Sequence, residues 1–570
     1  MTVLLTRTRL KFIYLESNSN SDKSDEGQHT LLLVEMGNPR LKEMKMRASK
    51  KIEKVQLVLP PPRRPDTYIT KFAGWPQPLV RHARQIIFQL AEVAVSRDLF
   101  AAILQRLIRL RPPRRPDTDI AKFARWPQPL GILSVGTYIK QNNPGVEVEI
   151  LDGNNVLTLD AVKSRIDADL VGISATALGY DHAIEVAKVA KQRGARVILG
   201  GAAATPLARE ILRYYDFVDA VIRYDGELAF SKYVAAAPLG SIENLVYRDN
   251  HEIKENPIKL PCLDELPVPD RDLLDMEVYF KNSKDPEYPI CDPFERPINI
   301  YSQKGCIWRS QEEGGCVFCS IPYYDLRLRE PKLVWDEISS LVEKYQADFI
   351  WDPSDNLVGD KEWFKAFCAA KPNGLKIHYT NYVDAKGIDE EVAKLLAESG
   401  CVSVFVGMET GDPKMLESMN KRSTLEDNMR AMELLQKYRI GVIAGVVVGV
   451  QGESKESLER TVEFLKKLTE FDNFDRFEWG SLIPFPGSKA NRMLREHPDL
   501  KEKYKDFGNE KYLFQLVCMI QDWHRYYCEI DFNDILELQD RVVQEILVPY
   551  EMTMFQRRSW SGTPTKVFRV

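Results

Sequence analysis

Gly305-Cys-Ile-Trp-Arg-Ser-Gln-Glu-Glu-Gly-Gly-Cys-Val-Phe-Cys-Ser-Ile-Pro322 puts three thiols, Cys306, Cys316 and Cys319, into one loop. Gly314 and Gly315 let the intervening backbone double back. Thiolates are soft ligands that select zinc, copper or iron–sulfur centres over magnesium or calcium. Cys316 and Cys319 are spaced as Cys-x2-Cys and grip one centre without strain; Cys306 reaches it across the flexible stretch. A closed zinc site wants four ligands, and so does a fully ligated iron–sulfur cubane. Three thiolates leave one position open, which is where substrate chemistry happens. The loop by itself leaves zinc, an iron–sulfur cluster and no metal all standing.

The surrounding composition narrows the class of protein. The chain has 570 residues, 44% hydrophobic and 28% charged, which is globular rather than disordered and long enough for three or four domains. A net charge of −5 gives no basic field for nucleic acid. No apolar run reaches the ~18 residues of a membrane span, and the apolar stretch at the N-terminus is too short for a secretory signal. Nine cysteines, an odd number, do not read as a disulfide framework. A reducing, cytoplasmic setting is expected.

Upstream of the loop, residues 1–50 read as a leader of unclear structure. A domain follows over 51–237. Lys54–Leu59 is a buried strand stopped by Pro60, Pro61 and Pro62. Pro61–Leu79 recurs nearly intact as Pro112–Leu130, so residues 80–130 read as a duplicated insert between that strand and a helix at Gly131–Gln141. Strand-like segments at Val146–Leu151, Asp169–Ser174, Arg196–Gly200 and Asp219–Ile222 alternate with helices, Tyr180–Arg193 the clearest. This is the pattern of a doubly wound, Rossmann-like parallel sheet, whose ligands sit outside the carboxyl ends of its strands. Ser174-Ala-Thr176 and Gly200-Gly201 stand at two such ends. Residues 238–296, rich in proline and charge, read as a linker; Cys262 and Cys291 within it are bystanders or a fourth ligand.

Downstream, a second alternating block runs over 297–490. Strands are expected at Ile298–Ser302, Asp348–Trp351, Leu375–Thr380, Val402–Val406, Val442–Val448 and Phe477–Leu482. The intervening helices include Leu333–Tyr345, Glu390–Ser399 and Leu425–Tyr438. Six units make a partial (βα)6 barrel of TIM type, with chemistry at the carboxyl ends of the strands, where the three-cysteine loop opens. Residues 491–570 suggest two helices packed on the barrel. His524 and Cys528 have ligand-like spacing on one of them, but read more simply as core.

In this order, a doubly wound sheet and then a barrel with three cysteines after its first strand, the chain resembles the cobalamin-dependent radical SAM enzymes over about Lys54–Ser488. Supporting motifs are Cys-Val-Phe-Cys319, Gly407-Met-Glu-Thr-Gly411, Val448-Gly-Val-Gln-Gly-Glu453 and Pro484-Phe-Pro-Gly-Ser488. Trp351-Asp-Pro-Ser-Asp-Asn356 completes the set. The resemblance implies a 4Fe-4S cluster on Cys306, Cys316 and Cys319. It implies S-adenosylmethionine contacts from Phe318, Asp352, Asp355, Asn356, Glu409, Gly449 and Glu453, and cobalamin contacts from Ser174, Thr176, Gly200 and Gly201. The loop departs from the family's Cys-x3-Cys-x2-Cys, with nine residues between Cys306 and Cys316; a longer loop costs little entropy. Asp152-Gly-Asn154 matches the stretch where many cobalamin proteins carry a lower axial histidine, and has none.

The activity implied is reductive cleavage of S-adenosylmethionine, hydrogen removal from an unactivated carbon, and methyl transfer from methylcobalamin. Cluster potentials reach roughly −700 mV, so an external donor of flavodoxin or ferredoxin type is implied. The substrate is a small molecule or peptide; Tyr301, Trp308 and Tyr382 are aromatic candidates to touch it, or core. Alternatives are a cyclisation, rearrangement or oxidation on the same cofactors, and a non-catalytic cobalamin- or zinc-binding regulator.

Overall fold

Apolar runs such as Lys54–Leu59 and Gly441–Val448 make strands covered on both faces, and a computed structural model of the chain builds two mainly parallel sheets. It describes residues 52–61, 127–284, 294–311, 314–542 and 545–546. The leader, nearly all of the duplicated insert and Cys291 lie outside these residues. The chain divides into Met1–Ile52 and Glu53–Val570, and both sheets belong to the second unit.

The first sheet joins Lys54–Leu59 (β1), Glu147–Asp152 (β2), Leu170–Ser174 (β3), Arg196–Gly200 (β4) and Ala220–Ile222 (β5) as parallel neighbours in the order β2-β1-β3-β4-β5. The order reverses between β1 and β3, the switch point where such sheets open a crevice. Gln56 lies fully buried inside β1 because its amide is satisfied: Nε2 donates to Glu149 and to the Arg165 carbonyl, and Oε1 accepts from the Asp167 N–H. Gly172 is required by packing, since a Cβ there would meet the Phe230 ring at 2.6 Å and Leu57 at 2.7 Å.

The sheet runs on into the stretch read as a linker. Leu245–Asp249 (β6) and Glu252–Glu255 (β7) form an antiparallel hairpin that extends the sheet past β5. Asn250 and His251 turn it with φ of 46° and 74°, the paired positive φ of a tight hairpin. Two short strands, one carrying three charges in four residues, gave no periodic signal among the prolines.

The second sheet contains Pro297–Asn299 (β8) and, after the short strands Gln303–Lys304 (β9) and Arg327–Leu328 (β10), Phe349–Asp352 (β11), His378–Val383 (β12), Cys401–Glu409 (β13), Gly441–Val448 (β14) and Phe474–Ser481 (β15). Its order is β15-β14-β13-β12-β11-β8 and every pairing is parallel, a six-stranded partial barrel. Pro331–Tyr345 opens on a proline, and the helices after β11, β12, β13 and β14 start on side-chain caps. Asp389 caps Glu390–Ser399, which Gly400 ends at φ 97°, and Thr424 and Asp427 form a capping box on Leu425–Lys437. β12 begins three residues later than the apolar pattern suggested, because Leu375 closes a turn onto Pro372.

The C-terminal helices divide between the two layers instead of both lying on the barrel. Phe532–Val542 buries Ile535 and Leu538 in the barrel core. Tyr512–Tyr527 instead joins the core of the sheet domain and of the barrel loops beneath it: the Tyr512 ring lies 4.3 Å from that of Tyr180. Helical periodicity gives the buried face but not the partner.

A buried triad ties residues 238–296 to the barrel. Glu337 receives Arg271 at 2.9 Å and Arg329 at 2.7 Å, with side-chain exposures of 1%, 1% and 7%. Burial alone would raise the Glu337 carboxyl, but the two guanidinia hold it below its ordinary value. Glu337→Ala, which strands two buried cations, is expected to cost about 3–5 kcal/mol, read as a lowered chemical-denaturation midpoint with unchanged slope.

Candidate active site

The three-cysteine loop leaves the barrel through the β9–β10 neck, in which Lys304 pairs with Arg327 and Gln303 with Leu328. Within the spacer between Cys306 and Cys316, the Ser310 N–H bonds the Cys306 carbonyl and the Gly314 N–H the Gln311 carbonyl. A Cβ on Gly314 would sit 1.8 Å from the Trp308 carbonyl oxygen, so only glycine closes this turn. Trp308 Nε1 donates to the Asn420 carbonyl at 2.8 Å, and Asn420 Nδ2 returns to the Gly315 carbonyl at 3.0 Å. The loop is thus braced against the segment after β13, and Trp308 serves that brace. Phe318 packs, half-buried, against the sheet-domain core.

Burial pushes all three thiols up, Cys316 to about 12, and each interacts electrostatically with another of the set. Backbone N–H groups of Trp308 and Arg309 face Cys306, and the Ile321 N–H faces Cys319. A bound metal deprotonates thiols outright, and here Cys306, Cys316 and Cys319 stand together on one loop. The donor set therefore fits a metal centre. Among the described residues no three His, Cys, Asp or Glu groups converge on a point for one ion. A four-iron cluster asks for something else, each thiolate on its own iron atom. Cys262 is exposed, and Cys528 lies at a helix end with its thiol on the Val450 carbonyl. His524 is buried against Gly449.

Around the barrel rim the expected S-adenosylmethionine residues differ in what they have free. Asp352 is saturated by the N–H and hydroxyl groups of Ser302 and Ser354. Asn356 exchanges hydrogen bonds with Asp384. Both tie strand ends together. Asp355 accepts the Gly305 N–H at 3.0 Å, and burial moves its carboxyl up to about 6. Glu409, at φ 65° on a bulge of β13, pairs with the partly buried Lys421 at 2.7 Å. Glu453 accepts the Gly449 N–H at 3.1 Å and the Ser457 hydroxyl, and shapes the glycine turn after β14. Tyr382 lies between Trp351 and Phe405, ring centroids 6.4 and 4.8 Å away.

Ser174, Thr176, Gly200 and Gly201 come together on the wall of a cavity of about 390 Å3 at the carboxyl ends of β1, β3, β4 and β5. Gly201 has φ 94°, and a Cβ there would strike the Ala175 carbonyl at 2.8 Å. The opposite wall belongs to the cysteine loop: Lys304, Pro322 and Tyr323. Asp152–Asn154 is not on this wall; Asp152 is buried against Asn155 and Tyr279, and the first turns of the Leu130–Asn142 helix face the cavity instead. A second cavity, about 250 Å3, adjoins it and shares Gly131, Lys304 and Tyr323. Tyr301 lines it, with Lys304 over its ring.

The two walls are locked by charges that sequence reasoning missed. Asp225, 4% exposed, takes Lys304 at 2.6 Å and Tyr323 at 2.8 Å, with Arg327 at 2.7 Å. Burial alone would raise Asp225, but Lys304 and Arg327 hold it lowered. Its neighbour Tyr224 carries φ 59°, stabilised by its N–H bond to Thr205 Oγ1, a strained backbone of the kind that collects at functional sites. The available signal was an acidic residue three positions past a buried strand.

Comparison with known proteins decides between the metals. The B12 binding domain family matches residues 117–234, and the Radical SAM superfamily matches residues 300–465. The chain belongs to the cobalamin-dependent radical SAM enzymes.

Relatives of this cobalamin-dependent radical SAM enzyme include an uncharacterized methyltransferase of Pyrococcus horikoshii, 28% identical over 390 residues, 64% of this chain and 79% of that protein. The anaerobic magnesium-protoporphyrin IX monomethyl ester cyclase of Rubrivivax gelatinosus is 26% identical over 443 residues, 73% of this chain and 72% of that one. The fold matches the methyltransferase TsrM of Kitasatospora setae, solved with cobalamin and a [4Fe-4S] cluster, at TM-score 0.54 and 17% identity, covering 78% of each chain. It also matches OxsB, solved with aqua-cobalamin and S-adenosylmethionine, at TM-score 0.52 and 14% identity, over 81% of this chain but 56% of OxsB. A 4Fe-4S cluster, S-adenosylmethionine and cobalamin are the cofactors of such an enzyme. Among the described residues no helix is long and apolar enough to cross a membrane.

Gly314→Ala is expected to leave the chain folded by far-ultraviolet circular dichroism while iron incorporation falls at least several-fold, since the loop cannot close. Glu453 supplies a pH signature. Burial raises its carboxyl to about 7 from an ordinary 4.5, against the Ser457 and Gly449 bonds. A raised folded-state value means the stability it contributes is full at low pH and lost as pH climbs from about 4.5 through about 7. Melting of the wild type is therefore expected to fall across that window relative to Glu453→Gln, then run parallel to it.

Proposed function

We propose that the enzyme methylates an unactivated carbon of a small-molecule or peptide substrate. The observation that carries this reading is the shared wall. The crevice of the sheet domain and the neck of the cysteine loop meet at Lys304 and Tyr323, so the two cofactors would face one reaction space. When bound, the cluster supplies the electron that cleaves S-adenosylmethionine, and the corrinoid supplies the methyl group.

The side chains bind, orient and enclose. Cys306, Cys316 and Cys319 hold the cluster, with the Trp308–Asn420 brace fixing their loop. Phe318, Asp355 and Glu409 are the S-adenosylmethionine contacts we favour, with Asp352, Asn356, Gly449 and Glu453 positioning the strand ends that carry them. Ser174, Thr176, Gly200 and Gly201 seat the corrinoid. An external donor of flavodoxin or ferredoxin type delivers electrons. A cyclisation without net methyl transfer is the second reading, favoured by the cyclase relative that aligns over 73% of this chain.

Anaerobic turnover with methyl-labelled S-adenosylmethionine separates the two: label in the product supports methylation, and turnover without it supports cyclisation. Cys316→Ala is expected to abolish S-adenosylmethionine cleavage, at least about a hundredfold below wild type by 5′-deoxyadenosine release. Cleavage at the parent rate would sink the catalytic reading.

A further inference from the structure

Among the described residues, two buried acceptors of cavity-lining side chains have neither a hydrogen-bond donor nor an ion-pair contact. Glu227 is 2% exposed; its Oε1 accepts the Ser134 hydroxyl at 2.7 Å, while Oε2 is enclosed and unpartnered. Gln303 is 1% exposed; its Nε2 donates to the Asn356 carbonyl at 2.7 Å, which orients the amide and leaves Oε1 enclosed and unpartnered. Glu227 belongs to the sheet-domain cavity, Gln303 to its neighbour, and Ser134 and Lys304 link the two. Lys304 carries its direct contact to Asp225 at 2.6 Å and reaches Glu227 only through its field, not as a hydrogen-bond donor.

An acceptor buried without a donor is costly, and natural structures keep such groups rarely. Two of them in one connected cavity system mark where a ligand brings N–H or O–H groups. On the reading that a corrinoid occupies these cavities, the ring periphery supplies such donors. Each of its carboxamide side chains ends in an NH2 group. A free acid at the same place brings two acceptor oxygens against two acceptors, and a negative charge against Glu227.

We infer that Glu227 and Gln303 make this protein selective for a corrinoid whose peripheral side chains are amidated, over the same corrinoid bearing a free acid at the position they read. Glu227 works as a pure acceptor. Its replacement by glutamine keeps an oxygen for Ser134 and turns the second position into a donor, which inverts the preference. Gln303→Leu removes the other acceptor and should weaken binding without inverting anything.

The test is a binding titration of the full-length, corrinoid-free protein, followed through the visible absorbance of the corrinoid. The probes are hydroxocobalamin, cobinamide and the separated cobalamin monocarboxylic acids, in each of which one amide is hydrolysed. The expected result is tight binding of the amidated forms and a loss of roughly ten- to a hundredfold for at least one monocarboxylic isomer. Glu227→Gln should narrow or reverse that gap for the same isomer. Equal affinity for every isomer overturns the inference and leaves the cofactor assignment standing, because corrinoid is still bound. Failure to bind any corrinoid removes the cofactor assignment, and the inference with it. The comparison among ligands needs only the unaltered protein, so a variant that misfolds does not decide the outcome.

Discussion

Asp225 holds the architecture together at the point where chemistry is expected. It lies in the turn after β5, is shut off from water, and grips Lys304 and Arg327, the two residues that pair across the neck of the cysteine loop. A lone carboxylate in such a place would be strongly disfavoured; with two cations and the Tyr323 hydroxyl around it, each charge is compensated by another. Geometry follows from that requirement. The loop that carries the thiols cannot shift relative to the sheet crevice without uncovering buried charge. On the proposed reading, a corrinoid in the crevice and a cluster on the loop would thereby be set side by side by a feature of neither site alone.

The elements that faced only one structural question were plain in the sequence. β1 and β4, and the Glu390–Ser399 helix, stand where apolar period and caps put them, since both faces or one broad stripe are buried. The doubly wound sheet and partial barrel followed from their alternation. The β6–β7 hairpin was hidden because its strands are short, charged and set among prolines. The Tyr512–Tyr527 helix showed its apolar face, but the choice of partner lies in tertiary contacts such as Tyr180 against Tyr512. Nothing local encodes that pairing.

The site was legible in the same uneven way. Residues that act by type and spacing, the three cysteines and the Ser, Thr and Gly at strand ends, are gathered by the fold into one loop and one cavity wall. Residues that act through partners far away in sequence left no trace. Asp225 meets Lys304, Glu409 meets Lys421, and Ser134 meets Glu227. Asp352 and Asn356 illustrate the converse: they sit in the expected motif, yet their polar atoms are consumed by neighbouring strand ends. Motif position fixed their place, and hydrogen-bond accounting fixed what they have left to offer.

The central claim is that the braced loop and the sheet crevice hold an iron–sulfur cluster and a corrinoid together. Elemental and cofactor analysis of protein purified without oxygen, from cells supplied with iron and cobalamin, tests it most directly. The account predicts iron and inorganic sulfide in equal amounts, with corrinoid bound to the same chains. Stoichiometric zinc, with neither sulfide nor corrinoid, would contradict it.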